Sequence, residues 1–231
     1  MAGKARRGGR GLALNKLFEG VYSTDSLILT RNLDRGGKAY GEELVTIQDT
    51  EYRVWNPYRS KLCAAIRNGL KELPLGKGSK VLYLGSAEGT TISHISDIVG
   101  NGGAVFGVDI SAKAMRKFTY LCESRENLVP VLADASKPGS YAEYVRGFEI
   151  DLLYQDVSQK NQGEIFSGNA EMHLRKGGCG MLAIKARSIS STRPLMDIVN
   201  GEIKKVKGLK AVQKIPLKPF DKEHVMVIFR K

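Results

Sequence analysis

The chain has 231 residues, of which 42% are hydrophobic and 26% are charged; this is enough to bury a sizeable core and excludes wholesale disorder, collagen-like and coiled-coil structures. Its net charge of +12, from 36 lysines and arginines against 24 acidic residues, favours a nucleic acid partner, although solubility alone is a second explanation of such a charge. The sequence has no apolar run long enough for a membrane-spanning helix and no apolar core of a signal peptide near its start, so we expect an intracellular, cytoplasmic protein.

The chain begins with a basic segment and a set of short β-type runs. Residues 1–11 hold four basic residues, four glycines and no acid, a composition that predicts a flexible basic arm. Turn signals such as Gly36-Gly37 and Gln48-Asp49 separate the β-type runs that follow, which lie at residues 20–22, 26–30, 44–47 and 52–55. We therefore predict a small antiparallel β domain over residues 12–57.

From residue 58 onward, strand and helix patterns alternate, as they do in a parallel sheet that is covered by helices on both faces. The predicted helices lie at residues 59–70, 91–99, 112–124, 164–174 and 194–205. The predicted strands lie at residues 80–84, 104–109, 128–132, 151–155, 180–185, 209–215 and 225–229. The fold class predicted for residues 58–231 is therefore α/β, with a mostly parallel sheet of seven strands.

Three successive strands of this sheet end in groups that suit a nucleoside. The first is followed by the loop GSAEGTT over residues 85–91, whose glycines permit a sharp turn and a close approach by a ligand at the start of a helix. The second ends at Asp109, where a carboxylate commonly accepts hydrogen bonds from ribose hydroxyls, and the third is followed by Asp134. Each residue alone is more often a turn or cap residue. Together they predict a nucleoside-containing cofactor at the carboxyl edge of the sheet.

The loop spacing narrows the choice of cofactor. Gly85 and Gly89 form Gly-x-x-x-Gly, which departs from the Gly-x-Gly-x-x-Gly fingerprint of pyrophosphate sites. S-adenosylmethionine has no phosphate and fits this loop better. The three cysteines are 59 and 57 residues apart and form no C-x-x-C pair, so we expect neither a disulfide nor a metal site.

Cationic side chains and a polar segment follow the later strands. Lys185 ends an apolar strand, Lys61 lies on the helix before the first strand, and His224 opens the last strand. Taken singly, each is more often a surface or ion-paired residue. If they converge on one pocket with the segment at 154–159, they form a proton-transfer site.

Four segments of the sequence are long and specific: residues 52–62 (YRVWNPYRSKL), 81–85 (VLYLG), 89–100 (GTTISHISDIVG) and 221–224 (DKEH). These segments resemble the fibrillarin family, the RNA-guided ribose 2′-O-methyltransferases, and the resemblance runs from residue 20 to residue 229. It implies a Rossmann-like S-adenosylmethionine-dependent methyltransferase fold over residues 58–231. It also implies an enzyme that methylates ribose 2′-hydroxyls of pre-rRNA, with tRNA as a second substrate, in an archaeal-type cell.

The resemblance implies roles for particular residues. The catalytic group falls on Lys61, Asp156, Lys185 and His224. In our hypothesis Lys185 is the base or oxyanion stabiliser, Lys61 tunes it and holds the substrate, Asp156 orients both lysines and the methyl donor, and His224 supports them. Together with the loop analysis, the resemblance assigns the cofactor S-adenosylmethionine to Gly85, Ser86, Gly89, Thr90, Thr91, Asp109, Ile110, Asp134, Ala135, Asp156, Val157, Ser158 and Gln159.

The sequence departs from the family pattern at a few of these positions. The loop has Ser86-Ala87-Glu88-Gly89 where the family usually has alanine, serine and glycine, Asp109 replaces a glutamate, and Ser158 replaces an alanine. Glu88 therefore adds a carboxylate that either helps to bind a cationic sulfonium or faces solvent.

No sequence-reading RNA module is evident in the chain, so the specificity for a target must come from other molecules. The resemblance implies which partners these are. They are a box C/D guide RNA with its target RNA, a Nop-family scaffold protein and a kink-turn-binding ribosomal-protein homologue, with the β domain or its neighbouring helices as a docking candidate. Two other functions stay open: a non-catalytic RNA-binding scaffold of the same fold, and a small-molecule methyltransferase.

Overall fold

The computed structural model describes residues 13–231, and these residues form two β-sheets. The predicted basic arm, residues 1–11, lies outside the described residues. The first sheet is antiparallel, with the strand order β1-β2-β3-β5-β4. Its strands are β1 (Asn15–Phe18), β2 (Val21–Ser23), β3 (Ile28–Arg31), β4 (Leu44–Ile47) and β5 (Thr50–Val54). Gln48 and Asp49 connect β4 to β5 with φ angles of 49° and 62°, as a two-residue hairpin turn with two left-handed residues requires.

The second sheet has seven strands in the order β11-β12-β10-β9-β6-β7-β8. These are β6 (Lys80–Leu84), β7 (Ala104–Asp109), β8 (Leu128–Leu132), β9 (Ile150–Gln155), β10 (Leu174–Lys185), β11 (Lys210–Pro216) and β12 (His224–Arg230). The strands from β10 to β8 are parallel, whereas β12 runs antiparallel to both of its neighbours. The predicted α/β class, with a mostly parallel sheet and a small antiparallel sheet before it, is confirmed.

Seven α-helices and one short 3₁₀-helix (Pro138–Tyr141) connect these strands within residues 13–231. The α-helices are α1 (Lys61–Arg67), α2 (Thr90–Val99), α3 (Ala112–Glu123), α4 (Ala142–Val145), α5 (Gln162–His173), α6 (Ala186–Ile189) and α7 (Leu195–Lys205). The first begins at Lys61, two residues later than predicted, because the Ser60 hydroxyl caps it by accepting a hydrogen bond from the backbone N–H of Cys63 at 3.3 Å. In this described range no helix combines the length and the apolar character needed to cross a membrane.

Two hydrophobic cores lie on opposite faces of the seven-stranded sheet, because successive side chains of a strand point to opposite faces. On β6, Val81 and Tyr83 belong to the core covered by α1 to α3, and Leu82 and Leu84 belong to the core covered by α5 and α7. Trp55, which follows β5 and is 1% exposed, packs into the first core. The two sheets are therefore joined by shared apolar packing. The division of the chain after residue 57 stays a prediction.

Besides the later start of α1, the structure differs from the predicted elements at β1, at the start of β10 and at three short helices. β1 was not predicted, because this strand is largely exposed and lacks alternating apolar residues. β10 begins at Leu174 and not at residue 180, because Leu174 already pairs with Ile150 of β9; the register then shifts before Cys179, within a segment that contains two glycines. The short helices at 138–141, 142–145 and 186–189 were also missed, because one helical turn carries no readable apolar period.

A network of buried charges links the small sheet to α2. The Arg53 guanidinium donates to Glu42 at 2.5 Å and to Asp97 at 2.7 Å, and the Arg125 guanidinium donates to the other oxygen of Asp97 at 2.6 Å. These four side chains are at most 1% exposed. Two positive and two negative charges balance within the network, as buried charges require.

His94 is buried against this network and is neutral. Its Nδ1 lies 2.8 Å from the Thr30 hydroxyl, and its Nε2 lies 2.7 Å from the Tyr40 hydroxyl. Its ring stacks on Trp55 with the centroids 4.7 Å apart. Burial, and then the charges of Arg53 and Arg125, hold the pKa of His94 well below its usual value.

We expect acidification below about pH 6.5 to lower the free energy of unfolding, because His94 takes up a proton in the unfolded chain at about that pH but not in the folded protein. The stability held above pH 6.5 then falls by up to about 1.4 kcal/mol per pH unit until the lower folded-state pKa is reached. Urea denaturation of wild type and His94→Gln between about pH 5 and pH 7 measures this dependence. In His94→Gln, the slope of the free energy of unfolding against pH should be smaller by up to one proton, or about 1.4 kcal/mol per pH unit. An unchanged slope would contradict the conclusion that His94 stays neutral in the folded protein. His173 and His224, whose pKa values are also lowered, are common to both proteins.

Candidate active site

A cavity of about 570 Å³ opens at the carboxyl edge of the large sheet, between the ends of β6, β7 and β9. Its size is typical of a small-molecule site. Eight of the thirteen residues predicted to bind the cofactor line it, namely Gly85, Asp109, Ile110, Ala135, Asp156, Val157, Ser158 and Gln159. Sequence analysis missed three further lining residues, Ala87, Val108 and Ala133, although each is next to or between predicted positions.

The other five predicted residues, Ser86, Gly89, Thr90, Thr91 and Asp134, do not line the cavity. The Thr91 hydroxyl is buried and donates to the Ser60 hydroxyl at 3.0 Å. Asp134 accepts hydrogen bonds from the backbone N–H and the hydroxyl of Ser136 at 2.9 and 2.8 Å, and from the Gln159 amide at 3.4 Å. The Ser136 N–H, followed by the other donors, lowers the pKa of Asp134. Asp134 therefore positions Gln159 at the cavity wall.

The two glycines of the loop are required by backbone conformation and packing. Gly85 has a φ of +83°, and a Cβ atom there would lie 2.3 Å from the carbonyl oxygen of Asp156. Gly89 has a φ of +105° at the start of α2, and a Cβ atom would lie 2.7 Å from a methyl carbon of Leu121. An L-residue is strained at either φ. Both glycines are therefore required by the packing of the loop against neighbouring protein atoms, in addition to any contact with a ligand.

Gly85→Ala is expected to lower the free energy of unfolding by roughly 1–3 kcal/mol more than an alanine at a positive φ without steric overlap would. It should also weaken cofactor binding, because the main chain of Asp156 must move. Gly36→Ala is the matched control, since Gly36 has a φ of +80° and, apart from its chain neighbours, no atom of residues 13–231 lies within 4 Å of the position that an alanine methyl group would occupy. Urea denaturation and calorimetric cofactor binding compare the two variants. Equal stability losses would show that the overlap with Asp156 is relieved without strain.

The cavity lining fits a nucleoside. Asp109 accepts backbone hydrogen bonds from Ala87 at 2.9 Å and from Ser111 at 2.8 Å, one on each oxygen, which leaves each oxygen a lone pair for a ribose hydroxyl. Ile110 is a large apolar side chain that is 64% exposed, and it lines the cavity together with Ala135. A purine is accommodated by such apolar walls, and a ribose by the carboxylate.

Glu88 does not belong to this lining. Its carboxylate pairs with the Lys117 ammonium of α3 at 2.7 Å, and both side chains are more than half exposed. Of the two interpretations of this extra carboxylate, the structure therefore supports the solvent-facing one.

The four predicted catalytic side chains come from α1 and from three adjacent strand ends. The Lys61 ammonium donates to Asp156 at 2.8 Å, and Asp156 also lines the cavity. Lys185 and His224 are directly paired residues of the antiparallel ladder between β10 and β12. Of the two lysines, Asp156 contacts Lys61. The predicted catalytic residues therefore occur as two pairs at the same sheet edge as the cavity.

His224 is buried, and its Nδ1 lies 2.7 Å from the carboxylate of Asp221. Burial, and then the charge of Lys61, lower the pKa of His224, while Asp221 acts in the opposite direction. Burial would raise the pKa of Asp221, but hydrogen bonds from His224 and from the backbone of Glu223 lower it below its usual value. An ionised Asp221 only accepts, so Nδ1 carries the proton of neutral His224 and the lone pair lies on Nε2.

Asp221 is a functional candidate that sequence analysis missed. It precedes His224 by three residues in the segment 221–224, and this Asp-x-x-His spacing was the available signal. Nε2 of His224 is buried and has no hydrogen-bond partner among residues 13–231, so this nitrogen is an unused acceptor on the residue that pairs with Lys185 in the ladder.

The fold has counterparts among solved structures. The crystal structure of Aeropyrum pernix fibrillarin with natively bound S-adenosyl-L-methionine is 40% identical, covers 94% of this chain and 98% of that chain, and has a TM-score of 0.87. The chain therefore has the fold of the S-adenosylmethionine-dependent methyltransferases, as the sequence predicted.

The family follows from the sequence comparisons. The family model described as fibrillarin matches residues 13–231. The fibrillarin-like rRNA/tRNA 2′-O-methyltransferase of Methanocaldococcus jannaschii is 42% identical over 224 residues, which are 94% of this chain and 96% of that protein. A fibrillarin/Nop5p complex contains a chain that is 38% identical, with a TM-score of 0.83, covering 93% of this chain and 99% of that one. This chain belongs to the fibrillarin family.

Proposed function

We propose that this protein is a ribose 2′-O-methyltransferase of pre-rRNA and tRNA, which uses S-adenosylmethionine and acts as the catalytic subunit of a box C/D guide ribonucleoprotein. One observation carries the chemistry: Asp156 lines the cofactor cavity and also binds Lys61 at 2.8 Å. This shared residue supports a single active site that includes both the cofactor cavity and Lys61.

The cofactor, when bound, supplies an electrophilic methyl group on a positively charged sulfur. Lys185 removes the proton of the ribose hydroxyl or stabilises its oxyanion, since a ribose hydroxyl is a weak acid that needs its proton taken as the new bond forms. Asp156 orients Lys61, which holds the substrate. His224 offers the unprotonated Nε2 as a second acceptor. Holding the ribose hydroxyl in line with the methyl group removes much of the entropic barrier to methyl transfer.

The partners are proposed on separate grounds. A Nop-family scaffold is supported by the fibrillarin/Nop5p complex of a relative. A guide RNA and its target are supported by the net charge of +12 and by the rRNA/tRNA substrates in the relative's name. A kink-turn-binding ribosomal-protein homologue completes the particle in this proposal. The archaeal source of that relative supports the cytoplasm of an archaeal cell as the location.

The test is transfer of labelled methyl from S-adenosylmethionine to guide-paired RNA in the reconstituted particle. Two target RNAs are compared, one with a 2′-hydroxyl and one with a 2′-deoxy at the target nucleotide. Label that requires the hydroxyl is the expected result. Equal label on both RNAs would place the methyl on a base. An assembled, cofactor-binding particle that transfers no label would instead favour a non-catalytic scaffold.

A further inference from the structure

A second cavity, of about 280 Å³, opens at the same edge of the large sheet as the cofactor cavity. We call it the basic pocket, and its polar lining residues are Arg187, Ser190, Arg193, Lys222 and Glu223. None of them was assigned a role by the sequence or by the mechanism above.

The basic pocket begins one residue beyond Lys185 and His224. These two residues are paired in the ladder between β10 and β12, and the next connection is the hydrogen bond from the backbone N–H of Ala186 to the carbonyl of Glu223 at 3.1 Å. Both residues of that connection line the pocket. The cofactor cavity lies toward β9, β6 and β7, on the other side of Lys185 in the strand order. Lys185 and its ladder partner His224 therefore lie next to the basic pocket in the chain, and Lys185 is on the strand that neighbours β9 of the cofactor cavity.

The two cavities differ in charge. The cofactor cavity is lined by the carboxylates of Asp109 and Asp156, whereas the basic pocket has three cationic side chains and one carboxylate. The Nε atom of Arg187 lies 3.8 Å from a carboxylate oxygen of Glu223, and both side chains are about half exposed. The attraction between these two side chains is therefore weak.

The remaining two cations of the pocket are available to a ligand. Within residues 13–231, neither Arg193 nor Lys222 has an ion-pair partner, and both residues are exposed. The hydroxyl of Ser190 accepts a hydrogen bond from the backbone N–H of Arg193 at 3.2 Å, which fixes the turn that carries this arginine.

The chemistry of RNA supplies a ligand for such a pocket. The ribose 2′-oxygen is bonded to the carbon next to the one that carries the 3′-phosphodiester, so a hydroxyl that reaches Lys185 brings a phosphate anion close to it. Arginine and lysine are the usual partners of such phosphates. We infer that the basic pocket binds the phosphodiester on the 3′ side of the target ribose through Arg193 and Lys222. This inference rests on the proposed function, and it adds the site that sets the position of the ribose over Lys185.

The test is a cycle of protein and RNA changes, assayed as methyl transfer in the reconstituted particle. The protein variant is Arg193→Gln/Lys222→Gln. The control, Lys176→Gln/Lys210→Gln, removes the same charge from exposed residues at the opposite edge of the sheet. Lys210 lies at that edge because its backbone is the ladder partner of Arg230, near the end of β12. The RNA change replaces the 3′ phosphodiester of the target nucleotide with a neutral methylphosphonate.

We expect the pocket variant to raise KM for the target RNA roughly tenfold, as loss of a charge-assisted contact does. The slope of log KM against log salt should fall in magnitude by about 1, and cofactor affinity should stay unchanged. The methylphosphonate should raise KM as much for wild type and for the control, but should have no further effect on the pocket variant.

Two results overturn the inference while the proposed function stands: a pocket variant with the KM of the control, or a methylphosphonate penalty that persists in full in the pocket variant. A wild-type particle that binds the cofactor and transfers no methyl group overturns the proposed function, and the inference with it.

Discussion

Lys185→Met is expected to lower kcat for RNA methylation by at least about 100-fold, the contribution typical of a general base, and to leave the Kd of S-adenosylmethionine within about twofold of wild type. The variant keeps an apolar stem in place of the ammonium group. It also keeps the local fold, because the contacts of Lys185 with the Gln162 side chain are made by its backbone N–H at 2.8 Å and its carbonyl at 3.2 Å. Lys185 is not part of the cofactor cavity lining, so binding and turnover should separate.

The measurements are single-turnover methyl transfer in the reconstituted particle and calorimetric binding of the cofactor. Lys176→Met is the matched control, since Lys176 lies exposed on the same strand, β10, at the opposite edge of the sheet, and it should leave both quantities unchanged. Loss of cofactor binding in Lys185→Met would move this lysine from proton transfer to cofactor binding. Unchanged turnover would remove it from the catalytic group and leave His224 as the acceptor.

Much of the fold could be predicted because the central strands are apolar runs bounded by turn residues. The predicted bounds of β6 and β7 agree with the structure, since burial on both faces makes such strands continuous apolar segments. β1 and the first half of β10 carry exposed, charged or glycine residues. Their strand conformation comes from pairing with neighbours, and a local pattern does not contain that information.

The candidate site was predictable to the extent that it lies at strand ends. Asp109 and Asp156 follow apolar strands, and parallel strands bring such ends together at one edge. Asp221 and Arg193 lie in loops and not at the ends of parallel strands. Their positions at the site depend on the conformation of these loops, which the sequence pattern does not predict. The pairing of Arg53 with Asp97 joins residues 44 positions apart, and charged residues are usually expected at the surface.

Asp97→Asn is expected to lower the free energy of unfolding by about 3–5 kcal/mol, the range found when one partner of a buried ion pair is removed. The Asp97 side chain is fully buried and accepts hydrogen bonds from Arg53 at 2.7 Å and from Arg125 at 2.6 Å. It also accepts from the Thr30 hydroxyl at 2.7 Å and from the backbone of Leu33 at 3.1 Å. An amide cannot neutralise two guanidinium groups, so buried positive charge is left uncompensated.

Glu143→Gln is the control for this prediction, because Glu143 pairs with Arg146 on the surface, where both side chains are more than 70% exposed and such a pair contributes about 0–1 kcal/mol. Urea denaturation of both variants gives the comparison. Asp97 lies on α2, which begins directly after the loop of Gly85 and Gly89, and it holds this helix against Thr30 and Arg53 of the small sheet. Cofactor affinity should therefore fall together with stability. A stability loss equal to that of the control would mean that water or a shifted carboxylate such as Glu42 compensates the two arginines, and the small sheet would then not be needed to fix the cofactor loop.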